Sequence, residues 1–320
     1  MSDILLIDAD SVIPNIPLMK LSTYHKNKGD NVKLIRVNLP YYPNRKKKIF
    51  NAPQADITYC SVVFQGNKAF IKGDNIIFGG TGVDLTTNLP PEVEKCELDY
   101  SIYPDNDTSY GFITRGCIRN CPFCIVPKKE GYIHKVANID DIVRHKKVKF
   151  LDNNILAYSG HKEILSELID KNIKHQFNQG LDIRLVDNEN SILLSKLNYI
   201  NQFIFAFDNW AYRKIIEDKL KLLEWRYDWQ FKFFVYVHPN MKLSDTVKRI
   251  IWLREHKCLP YLMRDISCWN SEYSKFYIDL AAYCNQPGFF KMMTFEEFTE
   301  VRHLNKNRKI ESQKLWNENK

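Results

Sequence analysis

From residue 111 onward the chain repeats one pattern six times: a short apolar, strand-like run followed by a helical stretch. The runs begin near Gly111 (GFITR), Val148 (VKFLD), Lys174 (KHQF), Asn201 (NQFIFAF), Phe231 (FKFFVYV) and Leu259 (LPYLM), at spacings of 37, 26, 27, 30 and 28 residues. Such a spacing holds one strand, one helix and two short connections, which is the length of a parallel β–α–β crossover. The helices between are legible too. His161–Lys171 puts Ile164, Leu165, Leu168 and Ile169 on one face, Ser244 is a candidate cap for a helix whose Val247, Ile250 and Ile251 face inward, and a further helix covers 271–283. Crossovers of this kind are right-handed, so the six units predict a parallel sheet, either open or curved into an incomplete barrel. In both arrangements ligands sit beyond the carboxyl ends of the strands.

Residues 1–105 read as a separate α/β unit. The runs Ile4–Asp8 (ILLID), Val32–Val37 (VKLIRV), Ile57–Phe64 (ITYCSVVF) and Ile76–Phe78 (IIF) suit parallel strands covered on both faces, and the helix expected over Pro17–Asn27 connects the first two. The expectation is a Rossmann-like open parallel sheet. Gly79, Gly80 and Gly82 follow its last strand, either as a tight turn or as a ligand-cradling one; GGTG is not a dinucleotide fingerprint. The polar joint Pro104–Asp107 sets the boundary. The division expected is therefore 1–105 Rossmann-like, 106–290 the βα repeat, and 291–320 a charged C-terminal helix or tail, with Leu304–Lys320 exposed.

With 44% apolar residues the chain can bury a sizeable core, which excludes a disordered or fibrous protein. No run approaches the ~18 apolar residues of a membrane helix. The start, MSDILLIDAD, lacks the layout of a signal peptide, so a cytoplasmic location and no membrane partner are expected. Lys and Arg total 46 against 38 Asp and Glu, a net charge of +8, with clusters at Arg45–Lys48, Lys128–Lys129, Arg144–Lys147 and Lys306–Lys309. These are either a solvated surface or an attraction for phosphate backbones, which leaves a nucleic-acid partner open.

Eight cysteines in a chain this long do not make a disulfide scaffold. Cys60, Cys96, Cys258, Cys268 and Cys284 are scattered and read as small buried hydrophobes. Cys117, Cys121 and Cys124 fall within eight residues, in the loop after the first strand of the repeat. Thiolates there suit an iron–sulfur cluster or zinc. A closed zinc site needs a fourth ligand, and the nearest candidate is His134. Three readings follow: a cluster with one open iron that performs chemistry, an iron–sulfur electron-transfer protein, or a zinc-stabilised nucleic-acid-binding protein.

The spacing Cys117-x3-Cys121-x2-Cys124, with Phe123 before the last cysteine, resembles the signature of the radical S-adenosylmethionine enzymes. The resemblance spans about residues 106–290 and implies a partial (β/α)6 TIM-like barrel. It implies a [4Fe-4S] cluster on the three cysteines, whose open iron takes the amine and carboxylate of S-adenosylmethionine. Reductive cleavage would then give a 5′-deoxyadenosyl radical that abstracts hydrogen from a substrate, fed by a low-potential electron donor such as flavodoxin or ferredoxin. By the same resemblance Phe123 lies near the adenine, Asp152 and Asn153 at the second strand end are amine partners, Gln179 and Arg184 point into the barrel mouth with Arg184 toward the carboxylate, and Asp208 contacts the cofactor. Each has a plainer alternative: loop packing for Phe123, a turn for Asp152 and Asn153, an ion pair with Asp182 or Asp187 for Arg184, a helix cap for Asp208. His238 and Met263-Arg264-Asp265 end the fifth and sixth strands, and Trp210, Tyr236 and Trp269 are aromatic candidates for stacking.

The first 105 residues resemble the cobalamin-binding domain of one radical S-adenosylmethionine subgroup, which implies cobalamin as a further cofactor. The Asp-x-His-x-x-Gly motif of the general cobalamin fold is missing, and the one histidine in this half is His25. The layout is also similar to that of the methylthiotransferases. Only Cys60 and Cys96 precede the repeat, however, which cannot supply their second three-cysteine cluster, and the tail is too short for their RNA-binding barrel.

Overall fold

Ile4, Leu5, Leu6 and Ile7 are all buried, but they face opposite ways. Ile4 and Leu6 pack with Leu18 and Leu21 of α1 (Ile16–Asn27), whereas Leu5 and Ile7 pack with Cys60, Val62 and Ile71. Burial on both faces puts β1 (Asp3–Asp8) inside a parallel sheet with β2 (Asn31–Arg36), β3 (Ile57–Ser61) and β4 (Ile76–Gly79), in the order β2-β1-β3-β4. Helix α1 starts where the Asn15 side chain accepts the Leu18 N–H at 3.2 Å. The computed structural model describes residues 1–42, 45–302 and 305–320. It divides into two units: Met1–Gly111 with Asn120–Gly131, and Phe112–Arg119 with Tyr132–Lys320.

In the second unit β5 (Lys147–Phe150), β6 (His175–Phe177), β7 (Phe203–Ala206), β8 (Phe231–Val237) and β9 (Leu259–Arg264) follow one another in space as in sequence. β5 pairs in parallel with β6, β7 with β8, and β8 with β9. Parallel bridges His175↔Tyr199 and Leu181↔Phe205 join the β6 segment to the β7 segment. The crossovers are α2 (His161–Asp170), α3 (Asn188–Lys196), α4 (Arg213–Leu220) and α5 (Leu243–Glu255), and α6 (Ser274–Cys284) follows β9. On β8 burial alternates: Phe231, Phe233, Val235 and Val237 are buried in the core, while Lys232, Phe234 and Tyr236 are half-buried on the other side. The fold is mixed α/β with several parallel sheets.

Two local expectations differ. The run from Gly111 is interrupted. A strand covers Thr108–Gly111, and Thr114–Arg115 instead pairs antiparallel with His134–Lys135. The Ile113 and Thr114 amides are taken by the Asp152 side chain, which removes them from a continuous ladder. Ser244 lies inside α5, whose first turn follows Lys242, so it does not cap that helix. The C-terminal segment continues through α7 (Pro287–Met292), α8 (Phe295–Val301) and α9 (Lys306–Glu318). Leu304 lies outside the described residues. The expected exposed helix does form as α9, but it is docked. Ser312 and Trp316 are buried, and the Trp316 ring lies tilted against Phe295 with ring centroids 4.8 Å apart. No described helix is long and apolar enough to cross a membrane.

Candidate cofactor site

Three consecutive residues at the carboxyl end of β5 hold the segment that leads into the cysteine loop. Asp152 is fully buried and accepts from Ile113 N at 3.2 Å, Thr114 N at 2.5 Å and Thr114 Oγ1 at 2.7 Å. Burial outweighs these donors and pushes its carboxyl up to about 6. Asn153 Oδ1 accepts from Gly116 N at 2.9 Å. Asn154, 4% exposed, donates through Nδ2 to Cys117 Sγ at 3.5 Å. The Arg119 N–H reaches the same sulfur at 3.3 Å. The Asn154 Oδ1 is buried and has no hydrogen-bond partner. Asp152 and the Asn153 carbonyl, the expected amine partners, are thus engaged by backbone amides. Asn154 was not singled out from the sequence, although it is the third of three Asx residues at a strand end, and it is the one with an acceptor to spare.

A second set of charges lies beyond β6. Arg184 clasps Asp182 through Nε at 2.7 Å and Nη2 at 2.9 Å, and its guanidinium lies 4.6 Å from the Tyr212 ring centre. The ion-pair alternative for Arg184 is therefore the one realised. Arg119, inside the cysteine loop, adds its Nε to the same carboxylate at 2.9 Å. Burial works against ionising Asp182, but the two guanidiniums prevail and hold it below its usual range. Gln179 is exposed in the turn after β6. Asp208 follows β7, half-buried, and accepts from Tyr236 N at 2.9 Å. Burial raises its carboxyl, partly offset by that N–H and by Arg249. Asn209 rather than Asp208 caps the next turn, accepting from Ala211 N at 2.9 Å. Arg249, which the sequence reading passed over, is fully buried on α5 and donates to the Phe207 and Tyr236 carbonyls.

Cys117 belongs to the second unit, and Cys121, Phe123 and Cys124 to the first. The Cys124 N–H returns to the Cys121 carbonyl at 3.0 Å, and Phe123 is 41% exposed. His134 is exposed, with Nδ1 on the Tyr132 carbonyl at 2.9 Å. Among the described residues no three His, Cys, Asp or Glu side chains are gathered into a group that could hold a metal ion. Of the scattered cysteines, Cys60, Cys258, Cys268 and Cys284 are buried as expected, and burial pushes the Cys60 thiol up to about 12. Cys96 is half-buried and donates to the Glu92 carbonyl. Beyond β8 and β9, His238 Nδ1 accepts from Asn240 N at 3.0 Å, Arg264 lies 4.3 Å from the Trp269 ring centre, and Asp265 accepts from the Tyr236 hydroxyl at 2.7 Å.

Among the described residues of the first unit no histidine is free to serve as a lower cobalt ligand. Both nitrogens of His25 are engaged, Nδ1 with Asp30 at 2.9 Å and Nε2 with the Tyr59 hydroxyl at 3.3 Å. The glycine turn after β4 is closed by the chain itself: a Cβ on Gly80 would stand 2.4 Å from the Val62 oxygen, and one on Gly82 would stand 2.7 Å from the Phe64 backbone. At the strand-order reversal between β1 and β3, where a parallel sheet takes its ligand, Asn15 bonds Ser11 and Ser61 while Tyr103 bonds Asp8. Compared with known proteins, the chain matches no family model, no curated protein and no solved structure.

Proposed function

We propose that the chain is a radical S-adenosylmethionine enzyme in which Cys117, Cys121 and Cys124 hold a [4Fe-4S] cluster. The observation that carries the reading is the three-thiol spacing in a loop whose first cysteine is anchored at the end of β5. Two N–H groups converge on the Cys117 sulfur, as outer partners do around ligating atoms. Three thiols without a fourth ligand fit a cluster with one iron left open rather than closed zinc. In this reading residues 106–290 form the catalytic (β/α)6 unit, and the sequential order β5 to β9 is the topology such a partial barrel requires. Residues 1–105 form the Rossmann-like unit.

The cluster, when bound, would supply the electron that cleaves S-adenosylmethionine to methionine and a 5′-deoxyadenosyl radical. This chain's own residues supply the setting. Asp152 and Asn153 fix the approach of the loop from Ile113 to Gly116. Asn154 Oδ1 offers a dry acceptor for an ammonium group, where a hydrogen bond is worth more than in water. Arg184 is committed to Asp182. Arg119 meets that carboxylate through Nε, which leaves the edge of its fork for a carboxylate. Asp208, held by the Tyr236 amide, faces the same end of the sheet.

Iron and sulfide analysis of anaerobically prepared protein tests this. The expectation is ~4 irons per chain, and release of 5′-deoxyadenosine when S-adenosylmethionine and a low-potential reductant are added. Cys121→Ala should lose both. About one zinc per chain and no iron, or a loaded cluster that releases no 5′-deoxyadenosine, overturns the reading.

A further inference from the structure

We propose that the partly exposed face of β7, β8 and β9 is a stacking platform for a single strand of nucleic acid, with Lys232 as a phosphate anchor. Residues paired across a parallel sheet point to the same side. The register sets Ile204, Lys232 and Leu259 in one row, Ala206, Phe234 and Tyr261 in the next, and Tyr236 beside Met263 in a third. The opposite side, with Phe205, Phe233, Val235 and Leu262, is buried in the core. On the other side Ile204 and Leu259, which flank Lys232, are buried, whereas farther along the strands Ala206 is exposed, Tyr261 is 40% exposed and Met263 43%. Phe234 and Tyr261 meet edge to face with centroids 5.7 Å apart. Large apolar groups left open on a sheet face mark a binding surface.

Charge decides what binds there. Lys232 is half-buried in the middle strand, and no described carboxylate meets its ammonium. Burial alone pulls that group below its usual range. A cation half withdrawn from water on the same side of the strand as Phe234 and Tyr236 invites an anion that carries flat rings, the pairing by which proteins hold single-stranded nucleic acid. Arg264 adds a second cation at the carboxyl end of β9, and the chain carries +8 overall. Exposure runs over successive rows, from Ala206 and Tyr261 to Met263, which suits successive bases better than one enclosed nucleotide. As the substrate surface of a radical enzyme it rests on the proposed function; as a binding surface it does not.

The test is fluorescence anisotropy of labelled ten-residue oligouridylate and oligothymidylate with the full chain, prepared anaerobically, with adenosine monophosphate as competitor. Tyr261→Ala should weaken binding roughly five- to hundredfold, the range for losing a stacked base. Tyr261→Phe should restore it, because the ring remains. Lys232→Met should weaken binding and lower the salt slope by about one, whereas Lys314→Ala on α9 leaves both unchanged. No oligonucleotide binding at low salt, or Tyr261→Ala and Lys232→Met both binding like the parent, overturns the platform. Adenosine monophosphate bound as tightly as the ten-mer overturns the strand. Iron content and 5′-deoxyadenosine are read on the same samples. Oligonucleotide binding without either product leaves the platform standing and sinks the enzyme, and the converse sinks the platform alone.

Discussion

Asn154 is a costly residue where it stands. Its Nδ2 has the Cys117 sulfur, but its Oδ1 is buried without a donor, a state worth roughly 1–3 kcal/mol of lost solvation. A leucine of similar shape would remove that penalty together with the bond to sulfur. In cluster-free protein Asn154→Leu is therefore expected to be neutral or to raise the unfolding free energy by about 1 kcal/mol. In reconstituted protein the same change should lower iron retained after desalting, because the sulfur loses a donor and the cavity loses its acceptor. Urea unfolding and iron analysis of the two forms check this. A drop of several kcal/mol in the cluster-free form would show that Asn154 is a structural residue with no function to explain its cost.

At the level of elements, the clamp from β5 to the Ile113–Thr114 segment depends on one carboxyl. Asp152 titrates at about 6 in the fold against an ordinary 3.8. Between those values the folded chain keeps a proton that the unfolded chain has released. Stability from this group is thus full below pH ~4 and declines as pH rises through about 6, by roughly 3 kcal/mol in all. Asp152→Asn should abolish that slope. It should also cost about 1–3 kcal/mol, since an amide N–H₂ would meet the Ile113 and Thr114 donors. Unfolding curves from pH 4 to 6.5 decide it, and equal slopes in both proteins would refute the assignment. Elements themselves were legible: the runs at Val148, Lys174, Asn201, Phe231 and Leu259 begin within about two residues of β5 to β9, because strand burial and apolar pattern are the same fact. What Asp152, Arg184 and Asn154 do was not legible. A polar residue after a strand reads alike as turn, ligand or clamp, and only its partners in space distinguish them.

For the molecule as a whole, the last sixteen residues look detachable in sequence and are not. Helix α9 carries few apolar side chains, yet Trp316 and Ser312 are buried and Arg308 forms a bidentate pair with Asp279 of α6. Asp279 is fully buried, and Arg302 Nε and Ser312 Oγ also reach it, at 3.6 Å and 2.8 Å. A lone acid inside the apolar α6 gives no sign in sequence of the arginines it will meet. Removing it strands Arg308 and Arg302 without their counter-ion, and because both guanidiniums are partly exposed the cost lies below the ~3–5 kcal/mol of a fully buried pair, at about 2–3 kcal/mol. Asp279→Ala should therefore lower the unfolding free energy by that order and make the chain beyond Val301 an early target of limited proteolysis. Trp316→Ala, which leaves the ion pair but removes the ring on Phe295, should cost about 3–5 kcal/mol through lost packing and give the same early cleavage. If Asp279→Ala keeps parental stability and protease resistance, the ion cluster does not dock α9. If Trp316→Ala alone releases the helix, its attachment is apolar.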